Sequence, residues 1–212
     1  MATTPTSLQE RVLLTGISWQ TYERLLAEHL GRSSPRFTYD RGELEIMVLS
    51  FEHEEINRLV ADVFAAIADA SGIDFVNAGS TTLKRRDLER GFEPDTCFYV
   101  ANAPSIRGKK KLDLPDDPPP DLVIEIDITS SSLDKMGIYA AMRVPEVWRY
   151  DGKTVRIFGL RGETYDDRST SGFLPGVTFT DLTRFVEKAQ TTPRSVWLRQ
   201  VRDWVERAQG RR

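Results

Sequence analysis

The segment DLVIEIDI, residues 121–128, constrains what this chain can fold into more than any other stretch. Its residues alternate with a β period, so Leu122, Ile124, Ile126 and Ile128 face one way while Val123, Glu125 and Asp127 face the other. A strand this apolar belongs in the centre of a sheet, where a carboxylate costs several kcal/mol unless a cation, a donor or a metal answers it. The segment therefore predicts something positive opposite Glu125 and Asp127. An edge strand with one solvated face is the alternative.

Ser131, with Asp134 three residues on, reads as the N-cap and acidic first turn of a helix running to about Arg143. Lys135 falls in that first turn and shares a face with Ile138, Tyr139 and Met142, so its ammonium can reach back toward Glu125 and Asp127. A lysine snorkelling at the core margin has the same spacing. Asp95 follows Glu93-Pro94 and opens a strand with Cys97 and Tyr99 on one face; taken alone it reads as a turn residue. Taken together, an Asp at one strand start, a Glu in the next strand and a nearby Lys meet the needs of magnesium-dependent hydrolysis. They offer oxygen ligands for a hard cation and a positive charge to hold the attacking water.

The remaining signals frame these residues. Ser18 caps a helix whose Trp19, Tyr22, Leu25, Leu26 and Leu30 form one face before Gly31. RFTYD and ELEIMV make a hairpin about Arg41-Gly42, and Ser50 opens a helix with the stripe Ile56, Val60, Val63, Phe64 and Ile67, ending near Ser71-Gly72. Strands are expected over 75–83 and 96–100, joined by LKRRDLERG as a polar hairpin connection. VWRYDGKTVRIFGL reads as a hairpin about Asp151-Gly152. After Thr180 the spacing of Val196, Trp197, Val201, Trp204 and Val205 predicts a helical tail.

Composition bounds the function. A length of 212 residues, 40% hydrophobic and 29% charged, suits one globular α/β domain over 1–212, with a core at about 17–180 and a basic tail at about 181–212. Cys97 is the single cysteine, and His29 and His53 are the two histidines, which excludes an intrachain disulfide and a Cys- or His-rich metal site. No targeting segment or membrane span is visible, so the expectation is a cytoplasmic protein with no membrane partner.

The string DPPPDLVIEIDITSSSLDKMGIYAAMRVPEVWRYDG, with GFEPD and LSFEHEEI before it, resembles the Uma-type restriction-endonuclease-like family of the PD-(D/E)xK nuclease superfamily. The resemblance covers roughly residues 17–180. It implies a central mixed sheet flanked by helices, with an N-terminal helix plus hairpin, and a magnesium (or manganese) nuclease acting on DNA. By position, Asp95 and Glu125 would bind the metal. Asp127 stands where the superfamily carries lysine, and the family's lysine has moved to Lys135. Glu52 matches a position whose acid completes such sites, although an acid there also favours a helix N-terminus. His53 reads as a hydrogen-bonded packing residue. A nuclease fold kept only as a nucleic-acid or protein interaction module is the second reading, and a homodimer would suit a double-strand cutter.

Charge bears on the partner. With 29 basic and 32 acidic residues the net charge is −3, which disfavours tight non-specific binding. Basic residues nevertheless cluster: Lys84, Arg85 and Arg86 (with Arg90) in one loop, and Arg107, Lys109, Lys110 and Lys111 in another. Flanking the strand that starts at Asp95, both loops are expected on the carboxylate side, steering phosphates.

Overall fold

The computed structural model describes residues 10–32, 34–128 and 133–208. Two sheets organise it. The first has five strands in the order β1-β3-β2-β6-β5, from β1 (Glu10–Leu14), β2 (Arg36–Asp40), β3 (Glu43–Val48), β5 (Leu83–Arg85) and β6 (Arg90–Phe92). The second has six in the order β11-β10-β9-β8-β7-β4, from β4 (Val76–Gly79), β7 (Thr96–Tyr99), β8 (Leu122–Ile126), β9 (Glu146–Tyr150), β10 (Val155–Arg161) and β11 (Thr164–Arg168). Among the described residues six α-helices accompany the sheets: α1 (Trp19–Glu28), α2 (Phe51–Ser71), α3 (Ala103–Ile106), α4 (Lys135–Ala141), α5 (Phe179–Thr191) and α6 (Arg194–Ala208).

DLVIEIDI is central, between antiparallel β7 and parallel β9, and all five residues of β8 are buried. The edge-strand alternative is thereby removed. Alternation sorts its side chains as expected. Leu122, Ile124 and Ile126 join the main core with α2, α5 and α6, while Val123 packs with Ile138 and Tyr139 of α4 on the opposite face. Because β8 and β9 run parallel, the chain must cross over between them, and α4 is that crossover.

Local signals account for most element ends. Ser50 Oγ accepts from the His53 amide at the start of α2, and Gly72 closes it in the left-handed region at φ 74°. Ser18 caps α1 in the same way, but the helix stops at Glu28, and Leu30 is 88% exposed rather than part of the apolar face. Asp134 is the observed N-cap of α4, its side chain accepting from the Gly137 amide; Ser131 lies outside the described residues. LKRRDLERG is not a connection between strands of one sheet. It folds on itself as the β5–β6 hairpin around a 3-10 turn and leaves the second sheet for the first. Trp197, Val201 and Val205 of α6 lie in the main core, so the tail forms part of the layer that covers β8.

The first sheet is two-faced. Phe37, Tyr39 and Leu44 pack with Trp19 and Tyr22 of α1. Alternation then turns Arg36, Glu45 and, from β1, Arg11 to the other face, toward the end of β8. Phe64 of α2 anchors the main core, its ring 4.2 Å from that of Phe98 and 5.8 Å from that of Trp148. Phe64→Ala is expected to lower unfolding free energy by about 3–5 kcal/mol in urea titrations, through lost burial and the cavity left behind.

Candidate active site

Asp95 sits one residue before β7. Thr96 pairs with Ile124 in the register, so one further step places Asp95 across from Glu125. The carboxylate is 2% exposed and fully engaged. Oδ1 accepts from Arg36 of β2, and Oδ2 accepts the Ile126 amide at 2.7 Å. His53 Nε2 stands 3.2 Å from Oδ2 and 3.1 Å from the Ile126 carbonyl. Both neighbours are acceptors, so Nε2 carries the hydrogen. Asn57 holds the backbone, donating to the Asp95 carbonyl at 3.0 Å and accepting from Thr96 Oγ1 at 2.9 Å. Glu93, of GFEPD, accepts the Phe37 amide at 2.9 Å and so ties the approach to Asp95 to the first sheet.

Glu125 lies on the α4 side of β8. Its Oε2 accepts from Lys135 Nζ at 2.8 Å and its Oε1 from Tyr139 Oη at 2.6 Å. Lys135 and Tyr139 are one helical turn apart, so the first turns of α4 grip both oxygens of one carboxylate. Glu125, Asp127, Lys135, Tyr139, Arg11 and Arg149 line one cavity of about 340 Å³ at the C-terminal end of the β8–β9 pair, where α/β sheets commonly bind ligands. Asp127 pairs with Arg149 there, and Arg11 pairs with buried Glu45 at 3.5 Å.

The electrostatics follow from this packing. Burial pushes the Asp95 carboxyl up, but the His53 hydrogen bond and the charges of Arg36, His53 and Lys135 outweigh it and hold the pKa down at about 2. Burial presses the Lys135 ammonium to lose its proton; the charges of Glu125 and Asp95, the hydrogen bond to Glu125 and the charge of Glu45 prevail and raise its pKa. Burial, then the charge and hydrogen bond of Glu125, raise the Tyr139 phenol well above its ordinary value, so Tyr139 stays a donor.

The sequence-predicted residues separate into two groups. Asp95, Glu125, Asp127 and Lys135 converge on the end of β8. Glu52 does not: it is exposed in the first turn of α2, because the helical period turns the next residue, His53, inward with Ile56 and Asn57. None of the basic loop residues lines the Glu125 cavity. Leu112 and Leu114 do pack in the cluster of Val123 and Tyr139, which puts the second loop on the α4 side of the sheet. Lys84, Lys110 and Lys111 instead border a separate cleft of about 460 Å³ beside α1. Several of these charges are already paired: Lys84 with Glu23, Arg85 with Asp87, Arg107 with Asp74 and Lys109 with Asp117. Arg86, Lys110 and Lys111 are exposed.

Arg36, Glu45, Tyr139, Arg11 and Arg149 were not legible as site residues. Two of them left a trace: Tyr139 stands four residues after Lys135, and Arg36 alternates against Phe37 and Tyr39. Among the described residues, no group of three or more His, Cys, Asp or Glu side chains forms a cage for a metal. Magnesium does not require one, since it is commonly held by one or two carboxylates with water and substrate phosphate completing the shell. The hard oxygens of Glu125 and Asp127 facing one cavity fit such an ion, whereas Asp95, expected to share it with Glu125, lies across from Glu125 with its oxygens on Arg36, His53 and the Ile126 amide and is not among the residues lining the cavity.

A mixed central sheet flanked by helices, with an Asp, a Glu and a helix-borne Lys gathered at its central strand, places the molecule in the mixed α/β class. The chain belongs to the Uma2 family, described as a putative restriction endonuclease, which matches residues 19–194. The fold is similar to the crystal structure of a putative nuclease belonging to DUF820 from Anabaena variabilis ATCC 29413. The two are 15% identical, with a TM-score of 0.54, over 80% of this chain and 99% of that one. Comparison with curated proteins finds no match. Among the described residues, no helix is long and apolar enough to cross a membrane.

The Asp95 cluster predicts a pH dependence. A depressed carboxyl pKa contributes stability that is complete above the unfolded value near 4 and disappears as pH falls toward about 2. The contribution is on the order of 2 kcal/mol. Denaturant titrations between pH 5 and 2 should therefore show a steep loss for the native protein and a shallower one for Asp95→Asn. Lys135 has the opposite sign, its stabilisation being lost only above its ordinary alkaline value.

Proposed function

We propose that this protein is a magnesium- or manganese-dependent endonuclease that hydrolyses phosphodiester bonds in DNA. The observation that carries the reading is the grip of Lys135 and Tyr139 on Glu125 in a cavity that also receives Asp127, with Asp95 bonded to the same strand end through the Ile126 amide. A divalent cation on Glu125 and Asp127 would polarise the phosphate and acidify a bound water. Asp95 holds the end of β8 in place through the Ile126 amide and adds negative charge behind the site. Water adds its oxygen to phosphorus and gives up a proton, the bond to the leaving oxygen breaks, and that oxygen takes up a proton, so each cleavage consumes one water.

The raised pKa of Lys135 assigns its part. Paired with Glu125 it is held as an ammonium, which would orient the attacking water and offset negative charge on the phosphate; a cation on Glu125 would weaken that hold and leave Lys135 able to help take the water's proton. Tyr139 positions Glu125 by hydrogen bonding. Two copies of the chain would present two such cavities to the two strands of a duplex.

The catalytically silent interaction module has one observation in its favour. Every oxygen of Asp95 and Glu125 already accepts a protein hydrogen bond, so a metal must share lone pairs with those donors. Plasmid and single-stranded DNA, incubated with magnesium, manganese or chelator, discriminate the two. Metal-dependent cleavage is expected, reduced at least about 100-fold by Lys135→Met and by Glu125→Gln in protein that remains folded by circular dichroism at the assay temperature. Asp95→Ala is a poorer probe, because among the described residues it leaves the buried Arg36 with only Glu54 at 3.5 Å and removes the acceptor of the Ile126 amide, so it disturbs folding as well as activity. Nucleic-acid binding without metal-dependent cleavage would establish the module.

A further inference from the structure

We infer that Arg149 is a substrate-binding residue whose guanidinium takes a backbone phosphate of the nucleic acid beside Glu125. The inference rests on the nuclease reading and extends it to a residue outside the carboxylate and lysine set. Arg149 and Glu125 are register partners in the parallel β8–β9 pair, so their side chains leave the same face of adjacent strands. Both line the same cavity.

The state of the guanidinium points to a ligand rather than to a closed structural pair. Its ion pair with Asp127 uses one terminal nitrogen, and 38% of the side chain remains exposed. An arginine carries five N–H donors in a fixed fork suited to phosphate, so the one carboxylate contact found among the described residues leaves most of that capacity open. Asp127, 20% exposed, holds the fork over the cavity before substrate arrives. Arg11, reaching in from the first sheet, adds positive charge on the same cavity. A volume of about 340 Å³ accommodates a phosphodiester with its flanking sugar atoms. By contrast, Lys84, Lys110 and Lys111 border a different cleft, which leaves Arg149 better placed for the phosphate next to the carboxylates.

The test measures binding of a fluorescein-labelled 20-base-pair duplex, and of the single strand, across a salt series at a fixed concentration of calcium, a divalent cation that takes oxygen ligands, with the full chain. Removing one phosphate contact should flatten the slope of log affinity against log salt by about 0.9 on duplex or about 0.7 on single strand. That flattening is expected for Arg149→Ala and for Arg149→Gln, which keeps a hydrogen bond to Asp127 and guards against a folding defect. Arg149→Lys should restore the slope. In manganese-supported cleavage the loss should fall in KM, about tenfold, rather than in kcat. Slopes identical to the native protein in both variants overturn the phosphate contact while the nuclease reading stands. Flattened slopes in a protein that cleaves no DNA support the contact and overturn the nuclease reading instead.

Discussion

The rest of the molecule depends on where one buried negative charge is held. Asp95 receives Arg36 from the first sheet, His53 from α2 and the Ile126 amide from β8, so three separately formed elements meet on a single carboxylate. A charge with this little exposure survives only when its partners are fixed, and those partners are fixed only when both sheets and α2 are packed. Loss of Arg36 would leave Asp95 with His53 and the Ile126 amide, and loss of Asp95 would leave Arg36, among the described residues, with only Glu54 at 3.5 Å, so either change weakens the junction between the two sheets and α2. Asn57 and Glu93 extend the same logic to the backbone on either side of Asp95.

The two sheets divide the labour that follows. The second supplies a rigid floor, with β8 buried on both faces and its parallel neighbour β9 bringing Arg149 beside Glu125. The first has one greasy face, sealed by α1, and one polar face whose Arg11, Arg36 and Glu45 reach over the floor. Strand alternation alone produces that division, since each residue turned away from Phe37, Tyr39 and Leu44 must point at the second sheet. Helix α4 then serves twice: it makes the crossover that parallel pairing demands, and its first turns carry Lys135 and Tyr139 to the two oxygens of Glu125.

What could be read in advance was whatever is encoded within a few residues. The alternation of DLVIEIDI, the Ser18 and Ser50 caps, the hairpin at Arg41-Gly42 and the spacing of Lys135 from Tyr139 are local patterns, and each corresponds to a feature of the fold. The partners of Asp95 are not local. Arg36 lies 59 positions away and reaches Asp95 only because β2 pairs with β6, and no periodicity announces that pairing. The segment LKRRDLERG misleads for a related reason: its polar composition describes a connection, whereas its three-residue strands are held by the sheet they join. Glu52 and His53 show the limit of helical spacing near a terminus, where one residue of phase decides which of two neighbours enters the core.

Electrostatic balance explains how an acidic chain can serve a polyanion. Most residues of the basic loops carry their own counter-charges, with Glu23, Asp87, Asp74 and Asp117 each holding one of the cations, so attraction at long range is weak. Inside the cavity the cations Arg11, Lys135 and Arg149 face Glu125, Asp127 and Asp134, a matched set with little net field. Such a cavity does not draw in phosphate by charge alone. In the proposed function, a divalent cation held by Glu125 and Asp127 would shift the balance, because its two positive charges would exceed what the carboxylates lose by sharing it, and it would relieve Arg149 of its competition with the same carboxylate. Metal and phosphate would then bind as mutually reinforcing partners, each removing the electrostatic reason for the other to stay away. In the proposed function, that coupling reserves the cavity for a metal-bound phosphodiester and makes the surface charge of the chain a secondary matter.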